Sequence, residues 1–103
     1  MPLLKSPHSL IVPTLVIFEV TRRAKSIQGE SYAKSVLLLM RKAIIIEATD
    51  PIAVTAVDVS IQYKLSTADA LIYATALEYD ATLWTQDKHF QGLPHVEYFE
   101  KTA

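Results

Sequence analysis

Three carboxylates in this sequence stand where solubility does not require them. Glu19 lies among Val16, Ile17, Phe18 and Val20, Asp69 opens the otherwise apolar stretch LSTADALIYATAL, and Asp87 directly follows the apolar run of TLWTQD. The chain holds 11 Asp and Glu residues, and most of the others read as decoration of solvated faces. Clustered carboxylates without a His or Cys partner favour hard divalent cations. Mg²⁺ and Mn²⁺ take oxygen ligands and keep waters that a phosphate can displace. Such an ion makes hydroxide available near neutral pH and stabilises charge on a phosphodiester undergoing displacement. The chemistry suggested is that of a nuclease rather than a zinc hydrolase.

Each acid also has a plainer role. Asp69 completes a Ser66-x-x-Asp69 capping box. Glu19 has Arg23 one helical turn away as an ion-pair partner. Asp87 suits a turn in which its side chain bonds two residues onward. The joint placement of the three carries the functional reading. His8, His89 and His95 do not form a metal-spaced set and read as surface or loop residues. Arg22, Arg23 and Lys88, with His89, are candidates for phosphate contact, against the default of solvated charges.

The elements that must position these residues follow from periodicity and turn chemistry. Ser9 to Val12 is a short apolar strand stopped by Pro13, which suits a helix start because it has no N–H to leave unpaired. Thr14 to Ile27 and Glu30 to Lys42 read as helices separated by Gln28 and Gly29, the second with Tyr32, Val36, Leu39 and Met40 near helical spacing as core or dimer-face residues. Ala43 to Ala48 contains three isoleucines and predicts a buried strand. Asp50 as N-cap and Pro51 behind it start a helix to about Tyr63. Ser66 to Tyr79 is a helix, Thr82 to Thr85 a strand with Trp84 in the core, Asp87 to Pro94 a loop, and Val96 to Phe99 a last strand. Alternating strands and helices predict an α/β fold with a mainly parallel sheet flanked by helices. In such a sheet ligands gather at the carboxyl ends of strands, where Asp87 lies. The N-terminus of the helix carrying Asp69 tends to face the same edge.

Composition narrows the alternatives. The 103 residues suffice for one domain, residues 1–103 as a single unit. With no cysteine there is neither a disulfide framework nor a thiolate metal site. The two glycines, Gly29 and Gly92, exclude a GxGxxG loop and a Walker A loop. A net charge of -1 gives no bulk attraction to nucleic acid, so RNA contact needs a local basic patch. No signal peptide is visible and the apolar runs are too short to span a membrane. These features predict a cytoplasmic protein without a membrane partner.

At the residues quoted above the sequence resembles the PIN-domain family, in particular the VapC-type toxins. The specific match is LSTADALIYATALEYDATLWTQDKHFQGLPHVEYF, Leu65 to Phe99, with Asp69-Ala70, Thr85-x-Asp87 and Phe90 in the family's order. SLIVPTLVIFEVTRR is similar to the family's strand, Pro and Glu-bearing helix, with Glu19 at the metal-site glutamate and Arg22 after it. The resemblance covers about Ser9 to Phe99. It implies a Mg²⁺- or Mn²⁺-dependent endoribonuclease (a hydrolase of RNA), homodimeric, restrained by a cognate antitoxin. Glu19, Asp69 and Asp87 match three of four metal-site acids, and Thr85 matches a position that orients metal-bound water or an acidic neighbour.

The sequence departs from the family at the first acid. The family opens with a central strand ending in Asp, whereas MPLLKSPH precedes the Pro-Glu segment here and no Asp or Glu occurs before Glu19. The expectation is therefore a PIN-like domain lacking its first, central strand, between Ser9–Val12 and Thr82–Thr85. A truncated gene, a misplaced start codon or a second chain completing the domain would each explain it. MPLLKSPH, with Leu3 and Leu4 between prolines, reads as a poor substitute strand, so association through the open face is predicted. The alternative to an active ribonuclease is a catalytically compromised remnant that binds only an antitoxin or partner chain.

Overall fold

The computed structural model describes residues 3–5 and 10–100. β1 (Leu3–Lys5) and β2 (Leu10–Pro13) open the chain, and α1 (Thr14–Gln28) follows with Pro13 as its N-cap residue. Gly29, at φ +84, turns the chain into α2 (Glu30–Met40). That positive φ is open to glycine without the steric penalty a Cβ brings. β3 (Ile44–Ile46), α3 (Asp50–Tyr63), α4 (Thr67–Glu78), β4 (Thr82–Thr85), a single 3-10 turn (Lys88–Phe90) and β5 (Val96–Tyr98) complete the order. The result is an α/β domain with five strands in the order β3-β2-β1-β4-β5. α1 packs along α2, α3 along α4, and α4 also meets α1 and β4.

The expected gap in the middle of the sheet is filled. β1 pairs antiparallel with both β2 and β4, with Leu4 opposite Ile11 on one side and Leu83 on the other. Leu4 is 1% exposed and belongs to the core with Ile11, Val16, Ile52, Tyr73 and Leu83. Two unpaired inner strand edges would have left backbone groups without partners. The three-residue strand Leu3–Lys5 pairs with both of them. Its direction follows from the length of the link to β2. Residues 6–9 are far fewer than the dozen or so that a parallel crossover needs. The sheet is consequently mixed rather than mainly parallel: β2–β3 and β4–β5 are parallel, and both pairings of β1 are antiparallel. The association predicted through an open central face loses its basis. Ser9 and His8 lie outside the described residues.

Three local expectations are also corrected. Ile44–Ile46 forms an edge strand with Ile44 and Ile45 exposed, because β2 is its sole neighbour in the sheet. Trp84 is exposed rather than core, since its β4 neighbours Leu83 and Thr85 take the buried face in the two-residue alternation. Thr49, not Asp50, is the N-cap residue of α3, and Asp50 sits in the first turn. α4 is buried on most of its circumference through Ala70, Ile72, Tyr73, Ala74, Thr75 and Ala76. Its alanines permit close approach of α3 and β4, which holds the start of α4, and Asp69 with it, in a fixed position.

Candidate active site

Asp69 is set by the cap of α4. Its backbone N–H donates to Ser66 Oγ at 3.2 Å, which is half of the anticipated capping box. Asp87 is set by the end of β4. Thr85 is buried, and its Oγ1 accepts from the Asp87 N–H at 3.0 Å. Asp87 Oδ1 in turn accepts from the His89 N–H at 2.9 Å, the turn contact anticipated for it. Phe90, 2% exposed, plugs the 3-10 turn into the core and packs against Tyr73. Tyr73 donates its hydroxyl to the Pro94 carbonyl at 2.6 Å, and burial, with Tyr63 second, pushes its pKa up to about 12. The phenol stays protonated and keeps donating across the usual pH range. The loop that carries Asp87 and His89 is thus pinned at both ends.

Asp69 and Asp87 converge. One ligand atom each from Asp69, Asp87 and His89 lies within 4.8 Å of the others. Asp69 and Asp87 are half-buried and His89 is exposed. His89 Nδ1 is 2.7 Å from Asp87 Oδ1. The Asp69 carboxyl is raised above its ordinary pKa, first by desolvation and then by the charge of Asp87; Ser66 and His89 pull the other way. Among the described residues no Lys or Arg nitrogen comes within ion-pair distance of either carboxylate. Two adjacent carboxylates without such a counter-cation are a donor set that fits a divalent ion.

Glu19 stands apart from this group. It lines a groove of about 1150 Å³ whose walls include Arg23, Ile27, Tyr32 and Leu39 on one side and Thr85, Asp87 and Lys88 on the other. Glu19 therefore shares the groove with Asp87 without joining the three-residue cluster. The anticipated Glu19–Arg23 ion pair is not formed among the described residues. Arg22 is exposed and outside the groove lining. β1 brings no carboxylate, for Leu3, Leu4 and Lys5 carry none. Being antiparallel, it presents its first residue rather than its last to the edge where β4 ends, with Leu3 opposite Trp84 and Lys5 opposite Thr82.

His89 is the residue that sequence reasoning left at the margin. Its signal was the Asp-x-His spacing just after a strand, which a single tight turn folds into side-chain contact. Looking for histidines spaced against one another, rather than against the acids, misses it. No helix of the described residues is long and apolar enough to cross a membrane.

Comparison with known proteins agrees with this architecture. No curated protein matches the chain. Among solved structures, a chain of a toxin-antitoxin complex from Klebsiella pneumoniae is similar at a TM-score of 0.78 and 28% identity, over 88% of this chain and 75% of that one. The PIN domain family model matches residues 2–96. With nearly the whole length matched and the α/β sheet in place, the chain belongs to the PIN-domain family.

Proposed function

We propose that the protein is a VapC-type endoribonuclease that hydrolyses RNA phosphodiesters with Mg²⁺ or Mn²⁺ bound at Asp69 and Asp87. The observation that carries this reading is the convergence of those two carboxylates, without a Lys or Arg counter-ion among the described residues, at the end of β4. When bound, the ion supplies a nucleophilic hydroxide near neutral pH and neutralises charge on the phosphoryl group. Asp69 and Asp87 hold it, and buried Thr85 fixes the backbone of Asp87. Glu19 lines the groove that also includes Asp87 and adds a carboxylate to its wall. Arg23 and Lys88 line the same groove and receive backbone phosphates, with Arg22 at its outside. The groove's exposed Ile27, Tyr32 and Leu39, with Phe18 and Leu38 nearby in sequence, suit a cognate antitoxin or a second copy of the chain in a homodimer. A cytoplasmic location follows from the RNA substrate.

A second reading is favoured by one observation: β1 delivers no acid to the site and Glu19 stands outside the cluster. In that reading the protein binds its partner without cutting RNA. A single assay separates the two. Purified protein is incubated with a quenched fluorescent RNA and Mg²⁺ or Mn²⁺, alone, with EDTA, and as Asp69→Asn or Asp87→Asn. The ribonuclease reading expects metal-dependent cleavage that falls by about 10- to 100-fold or more in each variant, as loss of a metal contact does. Cleavage that survives EDTA and both substitutions refutes it. No cleavage by the parent protein, with partner binding intact, supports the second reading.

A further inference from the structure

We infer that the outward face of α3 is the surface through which two copies of this chain pair, the two helices lying antiparallel about a two-fold axis at Val57. This deepens the homodimer named above and rests on that part of the reading, not on the metal chemistry. α3 turns Ile52, Ala56 and Val59 into the core and packs along α4. The opposite side of the helix presents Asp50, Ala53, Val54, Val57, Ile61 and, at its C-cap, Lys64. All six are exposed, at the helical spacings that align side chains along one stripe. Val54 is 59% exposed, Val57 56% and Ile61 74%. A single exposed apolar residue is ordinary, but a row of them with charges only at its two ends is the pattern of a contact surface.

The ends of the stripe identify the occupant. Asp50 stands in the first turn of α3 and Lys64 at its C-cap, with Val57 midway between them in sequence. A second copy laid antiparallel across Val57 sets Asp50 of each helix beside Lys64 of the other, twice over by symmetry. A parallel arrangement would set like charges together. The same alignment puts Ile61 of each copy against Ala53 of the other, where the small side chain leaves room, and Val54 against Ser60. Ser60 Oγ already donates to the Val57 carbonyl at 2.8 Å, so covering it strands no polar group. What the surface needs opposite it is thus what the surface itself carries, as an isologous contact requires. No α3 residue lines the groove of Ile27, Tyr32 and Leu39, so a copy seated on α3 leaves that groove to the antitoxin.

The test is sedimentation velocity of the full chain over a range of concentrations, for the parent, Val57→Asp, Lys64→Glu and the charge exchange Asp50→Lys with Lys64→Glu. Oxidative cross-linking of Val57→Cys and of Ile27→Cys is read alongside. The parent carries no cysteine, so any cross-link comes from the introduced one. The parent is expected to dimerise. Val57→Asp puts two carboxylates on the axis and is expected to weaken association by about a hundredfold or more. Because Val57 is exposed, the melting temperature of that variant's monomer should change by only about a few degrees. Lys64→Glu is expected to weaken association about threefold or more, and the exchange to restore it to within about twofold, which a damaged fold does not do. Val57→Cys is expected to form a disulfide-linked dimer, and Ile27→Cys, in the groove, to form none. If the parent dimerises and Val57→Asp leaves the dimer intact, or the link forms through Ile27→Cys alone, the inference is overturned while the homodimer stands. If the parent stays monomeric at every concentration, both fall, and metal-dependent cleavage is still read separately by the RNA assay.

Discussion

Leu4→Ala should be the most damaging conservative change in the N-terminal segment, although that segment forms only a three-residue strand. Leu4 is 1% exposed, paired on both sides, and in contact with the core cluster that includes Ile11, Ile52, Tyr73 and Leu83. Truncating a buried Leu to Ala costs about 2–5 kcal/mol, from lost transfer energy and the cavity left behind. Here a value of about 3 kcal/mol is expected, because sheet neighbours held by hydrogen bonds relax little into the void. A domain of this size has about 5–15 kcal/mol of stability in total, and about 4–8 °C of melting temperature per kcal/mol. The expected fall is therefore roughly 12–24 °C. Leu3→Ala, on the other face and 36% exposed, should cost under about 1 kcal/mol. Leu4→Pro should be worse than either, since it removes a donor in a central strand. Thermal and urea unfolding followed by circular dichroism checks the series. Equal, small shifts for Leu4→Ala and Leu3→Ala would mean that β1 does not hold the centre of the sheet.

Three further outcomes follow from the site. Asp69→Asn should raise the stability of the metal-free protein at neutral pH: the raised Asp69 contributes stability fully below its ordinary pKa of 3.8 and loses it as pH rises through the higher folded value. The difference from the parent should shrink toward low pH, and urea unfolding across pH 3–8 reads it; an Asn variant less stable at neutral pH contradicts the assignment. Thr85→Val keeps the shape but deprives the Asp87 N–H of its acceptor, and should lower stability by about 1 kcal/mol in denaturant titration. It should also weaken metal binding through a misplaced Asp87. Tyr73→Phe removes the hydroxyl donor to Pro94, for about 0.5–1.5 kcal/mol, and should speed amide exchange in residues 91–95.

The helices from Thr14 and from Ser66 and the strand Thr82–Thr85 were legible because each carries its own punctuation: Pro13, Ser66 as N-cap, and the turn Thr85-x-Asp87. The convergence of Asp69 with Asp87 was legible from their places at a helix start and a strand end. What resisted reading depended on neighbours distant in sequence. Whether Ile44–Ile46 is interior or edge is decided by the number of strands beside it, not by its three isoleucines. Leu3–Lys5 has no periodicity to detect at that length. It becomes a strand because β2 and β4 offer it two rows of hydrogen-bonding groups and a slot for Leu4. His89 was obscured for a related reason, since its contact with Asp87 is made by the tight turn at Lys88–Phe90.

The reversed central strand separates two demands that a parallel strand meets together. Burial asks only for an apolar side chain in the slot and paired backbone on both sides, and it is indifferent to chain direction. Leu4 meets that demand. A site at the carboxyl edge of β4 asks for more, because a strand places its last residue there only if it runs parallel to β4. β1 runs the other way, so Lys5 lies beside Thr82 at the far end and Leu3 beside Trp84 at the near one. The sheet is thereby whole while the centre receives no donor from its middle strand. The side chains that do meet at that edge come from elements that point to it: the start of α4 through Asp69, and the turn after β4 through Asp87 and His89.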